Sequence, residues 1–112
     1  MAELVIAVVG SGGKTTRIHK LTEKYRNQGK KVFVTTTTHM YEEPECILSG
    51  NVEEIVAKLN TCGYCMAGLS AENRKIKALS LEVYEAVCEY ADIVLVEADG
   101  SKGKPVKFPA EH

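Results

Sequence analysis

A short apolar run, Leu4-Val5-Ile6-Ala7-Val8-Val9, ends at Gly10-Ser11-Gly12-Gly13-Lys14-Thr15, and from Thr15 onward the apolar residues fall at helical spacing. An apolar, β-branched run of that length predicts a parallel strand covered on both faces, and therefore a central one. A glycine-rich turn between such a strand and a helix lets several backbone N–H groups converge on one point, where the helix dipole adds positive potential. That point suits a phosphate. Gly10, Gly12 and Gly13 supply backbone freedom and close approach, Ser11 completes the turn, Lys14 can reach the β- and γ-phosphates, and Thr15 can place its hydroxyl on Mg2+. The junction predicts an α/β domain that binds a nucleotide, ATP or GTP, through its phosphates.

The full phosphate-loop pattern needs a glycine five places before Gly13, and Val8 stands there. The remaining G-S-G-G-K-T-T, which extends the loop to Thr16, is a shortened form that resembles the ATP loop of the Mur ligase group. A chance Lys-Thr pair after a glycine turn would not bring strand, glycines, lysine and helix into that order.

Downstream, Ile18, Leu21 and Tyr25 make one face of a helix over 15–28, and Gly29 suits the left-handed residue that ends it. Residues 31–37 read as the second strand, completing a right-handed βαβ unit. Asn51 and Glu54 resemble a capping box ahead of a short helix with Val52, Ile55, Val56 and Leu59 on its apolar face. Residues 64–67 suit a short strand. Residues 68–77 show no dominant period and fit a hairpin or an irregular loop. Ser80 caps a further helix carrying Leu81, Tyr84, Val87 and Cys88, and 92–96 is another buried strand. The expected fold is three-layered and P-loop NTPase-like, a mostly parallel sheet with helices on both faces, in one domain over 1–112. Residues 101–112 carry two of the chain's prolines and no period, and the lack of a closing element predicts the N-terminal part of a longer protein.

Composition narrows the function classes. With 45% hydrophobic residues the chain has one modest core, and a net charge of −1 with interspersed signs gives no reason to expect nucleic-acid or membrane binding. The N-terminus lacks a basic segment and its apolar run is too short for a signal or a span, so a cytoplasmic protein is expected. The four cysteines, Cys46, Cys62, Cys65 and Cys88, are then expected to be reduced and packed in the core. Cys62 and Cys65 have C-x-x-C spacing, but they run toward a strand rather than opening a helix, and a zinc site would need two more ligands. His19 and Lys20 read as a solvated helix face.

Two further segments carry chemistry. Glu97 and Asp99 follow the last strand, where phosphoryl transfer usually places an acid that orients Mg2+ or a water, and alternation puts both on one side. Gly100 permits a sharp turn after them. Thr35-Thr36-Thr37-Thr38-His39 lies at the carboxyl end of the second strand, where open α/β sheets place their ligands. Strand preference accounts for Thr35 and Thr36 as well as function does, but not for Thr38-His39. His39 can orient a water, bind a phosphate or ligate a metal.

Taken together, V-V-G-S-G-G-K-T-T, V-T-T-T-T-H-M from 34 to 40, and V-L-V-E-A-D-G-S-K-G-K-P-V-K-F-P-A-E-H from 94 onward resemble the YqeC family, accessory proteins of selenium-dependent molybdenum hydroxylases. The resemblance spans nearly the whole chain. It implies a nucleotide loop at Gly10–Thr16, a second wall from Thr37, Thr38 and His39, and a facing segment of Glu97, Asp99, Ser101 and Lys102. It also implies a Mg2+-dependent NTPase whose partner is a molybdenum hydroxylase or one of its maturation factors. A nucleotide-sensing or scaffold module without turnover, and an ATP-dependent ligase or kinase, are the alternatives.

Overall fold

The structure, a computed structural model, describes residues 2–9 and 13–98. The predicted site residues Gly10, Ser11, Gly12 and Asp99, together with Gly100, Ser101 and Lys102, lie outside the described residues.

The main sheet holds strands β1 (Leu4–Val8), β2 (Val32–Thr36), β4 (Tyr64–Met66) and β7 (Ile93–Glu97) in the order β1-β7-β2-β4, every pair parallel. Helix α1 (Lys14–Arg26) covers one face; α2 (Val52–Cys62) and α3 (Leu81–Cys88) cover the other. Strand alternation divides the core accordingly. Val32, Val34, Ile93 and Leu95 pack with Ile18 beneath α1, while Phe33, Val94 and Val96 pack with Ile55, Leu59 and Val87 beneath α2 and α3. The expected parallel sheet with helices on both faces is therefore present.

The caps follow the sequence closely. Asn51 Oδ1 accepts from the Glu54 amide at 2.9 Å, and Ser80 Oγ from the Val83 amide at 3.3 Å. The Glu54 carboxylate does not return directly to the Asn51 amide. Ser49 Oγ relays instead, donating to Glu54 at 2.6 Å and accepting from the Asn51 N–H at 3.2 Å. Gly29 is left-handed at φ 79, as expected.

Two expectations are corrected. β1 is not a central strand covered on both faces: it ends the sheet, and its one hydrogen-bonded neighbour among the described residues is β7, so Leu4 and Val5 stay 42% and 50% exposed. The cysteines are not uniformly core. Cys65, on β4, is fully buried, but Cys62 closes α2 and is exposed, because the left-handed Gly63 turns the chain between them.

The ambiguous segment resolves as a hairpin. β5 (Leu69–Ser70) and β6 (Lys75–Lys77) pair antiparallel, and β6 also pairs with β3 (His39–Tyr41), a strand with no sequence signal of its own. Met40 and Ile76 anchor this small sheet in the core beneath α1. Gly68 sits so close to β6 that a Cβ there would meet the Lys77 carbonyl oxygen at 2.8 Å.

Candidate functional site

The carboxyl ends of β1, β7 and β2 meet the first turn of α1. Gly13 caps that helix at φ 74, ψ 4, a left-handed conformation natural to glycine, and a Cβ added there would meet nothing within 4 Å. The first turn of α1 contains no acidic residue, and no side chain among the described residues caps it, so the positive end of the helix points its first amides at the strand ends.

Lys14, the first residue of α1, turns its ammonium onto the end of β7. Nζ lies 2.6 Å from Glu97 Oε2 and donates to the Ala98 carbonyl at 3.1 Å. The other carboxylate oxygen, Oε1, accepts from Thr36 Oγ1 at 2.6 Å and Thr38 Oγ1 at 2.9 Å. Thr36 has a single hydroxyl proton, and the shorter contact assigns it to the carboxylate rather than to the Glu97 carbonyl at 3.0 Å. Its oxygen in turn accepts from the Thr38 amide at 3.0 Å. Burial pushes the Glu97 carboxyl up, but Lys14, Thr36 and Thr38 together hold it below its ordinary range. Glu97 is thus an ionised, buried carboxylate with every oxygen engaged.

Around this pair opens a cleft of about 280 Å³. The loop side contributes Gly13, Lys14, Thr15 and Thr16, the strand side Glu97, and the small sheet His39, Met40, Tyr41 and Lys75. Thr15 and Thr16 are exposed on its wall. The structure therefore brings together Gly13, Lys14, Thr15, Thr16, Glu97 and His39, six of the residues singled out from sequence. Thr38 acts one step back, through Glu97, and the Thr37 amide is engaged by the Glu97 carbonyl at 3.0 Å. Thr35 is turned away, donating to the Ala67 carbonyl at 2.8 Å, so of the two roles its sequence position left open it takes the strand one.

Sequence reasoning left three residues out of the site: Thr36, which holds Glu97, and the wall residues Tyr41 and Lys75. Thr36 had a signal, a hydroxyl at the fully buried end of an apolar strand, but β-propensity explained it equally well. Tyr41 and Lys75 had none, because only the pairing of β3 with β6 brings them to the cleft, where Lys75 Nζ lies 5.0 Å from the centre of the Tyr41 ring. His19, read as solvated, is exposed and pairs with Glu43 across a separate cavity of about 560 Å³.

The donor set fits a phosphate with Mg2+. A helix N-terminus and a lysine line the cleft, while a hydroxyl and one carboxylate are the oxygen ligands a protein commonly contributes to Mg2+, the rest being phosphate and water. Among the described residues no group of three or more His, Cys, Asp or Glu could hold a metal ion. No described helix is long and apolar enough to cross a membrane.

Comparison with known proteins agrees with the motifs. The family model described as "YqeC protein" matches residues 6–112. A protein of Escherichia coli (strain K12) described as "Uncharacterized protein YqeC" is 31% identical over 121 aligned positions, covering 96% of this chain and 45% of its own length. The chain thus spans under half the length of that relative. No solved structure matches it.

Proposed function

The chain belongs to the YqeC family, and from that footing we propose that it binds Mg2+ and a nucleoside triphosphate, ATP or GTP, in the cleft between Gly13–Thr16 and Glu97. The observation that carries this is the 2.6 Å pair of Lys14 and Glu97 at a helix N-terminus that no described side chain caps. Lys14 supplies charge for the β- and γ-phosphates, and the first amides of α1 add their N–H groups. Thr15 and Glu97 would hold Mg2+ or its waters, with Asp99 as a further candidate, and Gly10, Ser11 and Gly12 complete the loop. With a phosphate on Lys14, Glu97 would give up its counterion and could turn to Mg2+ or its waters. The pair would thus act as a latch that nucleotide and metal release together.

His39, which also lines the cleft, would orient a water or a transferred group. We read the domain as a Mg2+-dependent nucleoside triphosphatase serving maturation of a molybdenum hydroxylase, in keeping with the family resemblance. The test is a calorimetric titration of ATP and of GTP, each with and without Mg2+, beside an assay of phosphate release with and without the hydroxylase. Binding without release under both conditions would make it a sensing or scaffold module. No binding of either nucleotide would end the proposal.

A further inference from the structure

The small sheet puts a second cavity beside the first. About 610 Å³ in volume, it is lined by His39, Ser70, Glu72, Asn73, Lys75 and Lys77, and shares His39 and Lys75 with the cleft at Lys14. Its floor is built by strand register. His39 lies opposite Lys77 and Tyr41 opposite Lys75, so these four side chains share the outer face, while Met40 and Ile76 hold the inner face in the core. A face made only for stability would set carboxylates across from its lysines, since unlike charges directly opposite stabilise a sheet. Here the partners are a histidine and a tyrosine on β3, with Leu69 of β5 on the other side of Lys77. Among the described residues neither Lys75 nor Lys77 forms an ion pair, and Glu72 is the one carboxylate lining the cavity.

The hairpin that closes the cavity is held in an unusual conformation. Asn73 and Arg74 both take left-handed backbone angles, φ 60 and φ 58, in the turn from Glu72 to Lys75, where Lys75 N donates to the Glu72 carbonyl at 3.2 Å. Two positive angles are what such a turn requires, but glycine usually supplies at least one, and a left-handed arginine costs about 1–2 kcal/mol. The strain is stored at the rim of the charged cavity, the kind of place where strain accompanies function.

We propose that this face is a second anion site that takes the phosphate or carboxylate group of a small co-substrate beside the nucleotide. Lys77 supplies its charge, His39 a hydrogen bond, and Lys75 joins it to the nucleotide cleft. The inference rests on the nucleotide reading above for its neighbour, while the site itself stands on the geometry of β3 and β6.

The test follows histidine ring signals by NMR while inorganic phosphate, and separately succinate, is titrated into the nucleotide-saturated protein. The sequence holds three histidines, and a His39→Gln variant assigns the relevant signal. At about 10 mM probe, a Kd near 1 mM gives roughly nine-tenths saturation. The expected result is movement of the His39 signal, weakened about tenfold or more in Lys77→Glu, with nucleotide affinity in that variant within about twofold of the parent. Whichever probe acts at lower concentration assigns the group as phosphate or carboxylate. Lys14→Ala, run without nucleotide, removes the loop's own cation: His39 movement that survives it but not Lys77→Glu belongs to the small sheet. Three results would each overturn the inference: a His39 signal unmoved by either probe, movement undiminished in Lys77→Glu, or a tenfold loss of nucleotide affinity in that variant. A parent that binds no nucleotide would sink the nucleotide reading alone, because the nucleotide-free titrations still decide the second site.

Discussion

Glu97→Gln separates the latch from an ordinary buried ion pair. The amide keeps the size of the side chain and an oxygen to accept from Thr36 and Thr38, but it leaves Lys14 without the carboxylate that now sits 2.6 Å away. Two unit charges at that distance attract by about 6 kcal/mol at an effective dielectric of about 20. Most of this does not appear in binding, because Lys14 exchanges one anion for another when phosphate arrives, and part already offsets the desolvation of both groups. A net 1–2 kcal/mol is a reasonable order of magnitude, so metal-free nucleotide should bind roughly five- to thirtyfold tighter to the variant. With Mg2+ present the gain should vanish or reverse, since the same carboxylate then faces the metal. The readout is the ratio of Kd without Mg2+ to Kd with it, measured by calorimetry for ATP and GTP, with phosphate release as the second readout. Parental values of both in Glu97→Gln would refute the reasoning and leave Glu97 as a structural partner of Lys14 only.

Lys14→Ala should lower nucleotide affinity at least tenfold and also destabilise the fold by about 2–3 kcal/mol at neutral pH, because a buried carboxylate then keeps only two hydroxyl donors; adding Glu97→Gln should restore part of the loss in a denaturant titration. The Glu97 carboxyl is held below its ordinary 4.5, so its interactions stabilise the fold above that value and are lost as pH falls through the lowered one. The stability difference between parent and Glu97→Gln should therefore be constant near neutrality and shrink as pH falls below about 4.5, and a difference that grows on acidification would contradict it. A thiol reagent should modify exposed Cys62 first, and Cys65, whose thiol burial pushes up to about 12, only on unfolding; Cys62→Ser should remove the fast phase. Asn51→Ala should cost about 1 kcal/mol in thermal unfolding and leave nucleotide affinity unchanged, because it removes a cap remote from the cleft.

The readable parts of the sequence were those where local chemistry and tertiary environment agree. Asn51 and Ser80 cap the helices they precede, and the apolar runs at 32–34 and 93–96 are buried strands because helices lie over both faces. The run at 4–8 carries the same signal yet lies at the end of the sheet, since apolar periodicity reports what a strand prefers to meet, not whether a neighbour is beside it. Lys14, Thr15, Glu97 and His39 were legible because each belongs to a segment whose place at a strand end is fixed by the strand itself. Lys75 and Tyr41 were not legible, because a three-residue antiparallel pairing between distant segments leaves no period in either one. The cysteines failed for a related reason: a single left-handed glycine between Cys62 and Cys65 sends one to the surface and the other into the core.

Topology explains why the chemistry collects at Glu97. From β1 the chain passes through α1 to β2, leaving one strand position empty, and goes on to β4; after α3 it returns and β7 fills the gap. Glu97 is consequently flanked in register on both sides, by Val8, which precedes the glycine-rich segment in sequence, and by Thr36, which leads into β3. Side chains alternate along a strand, so a slip of one residue in β7 would present Val96 or Ala98 at this place and turn the carboxylate toward the α2 and α3 side. The burial of Ile93 and Leu95 beneath α1, and of Val94 and Val96 beneath the other helices, resists that slip. The hydrophobic pattern of one strand therefore fixes the geometry of the charged pair, and β3, beginning three residues beyond Thr36, keeps His39 at the same cleft.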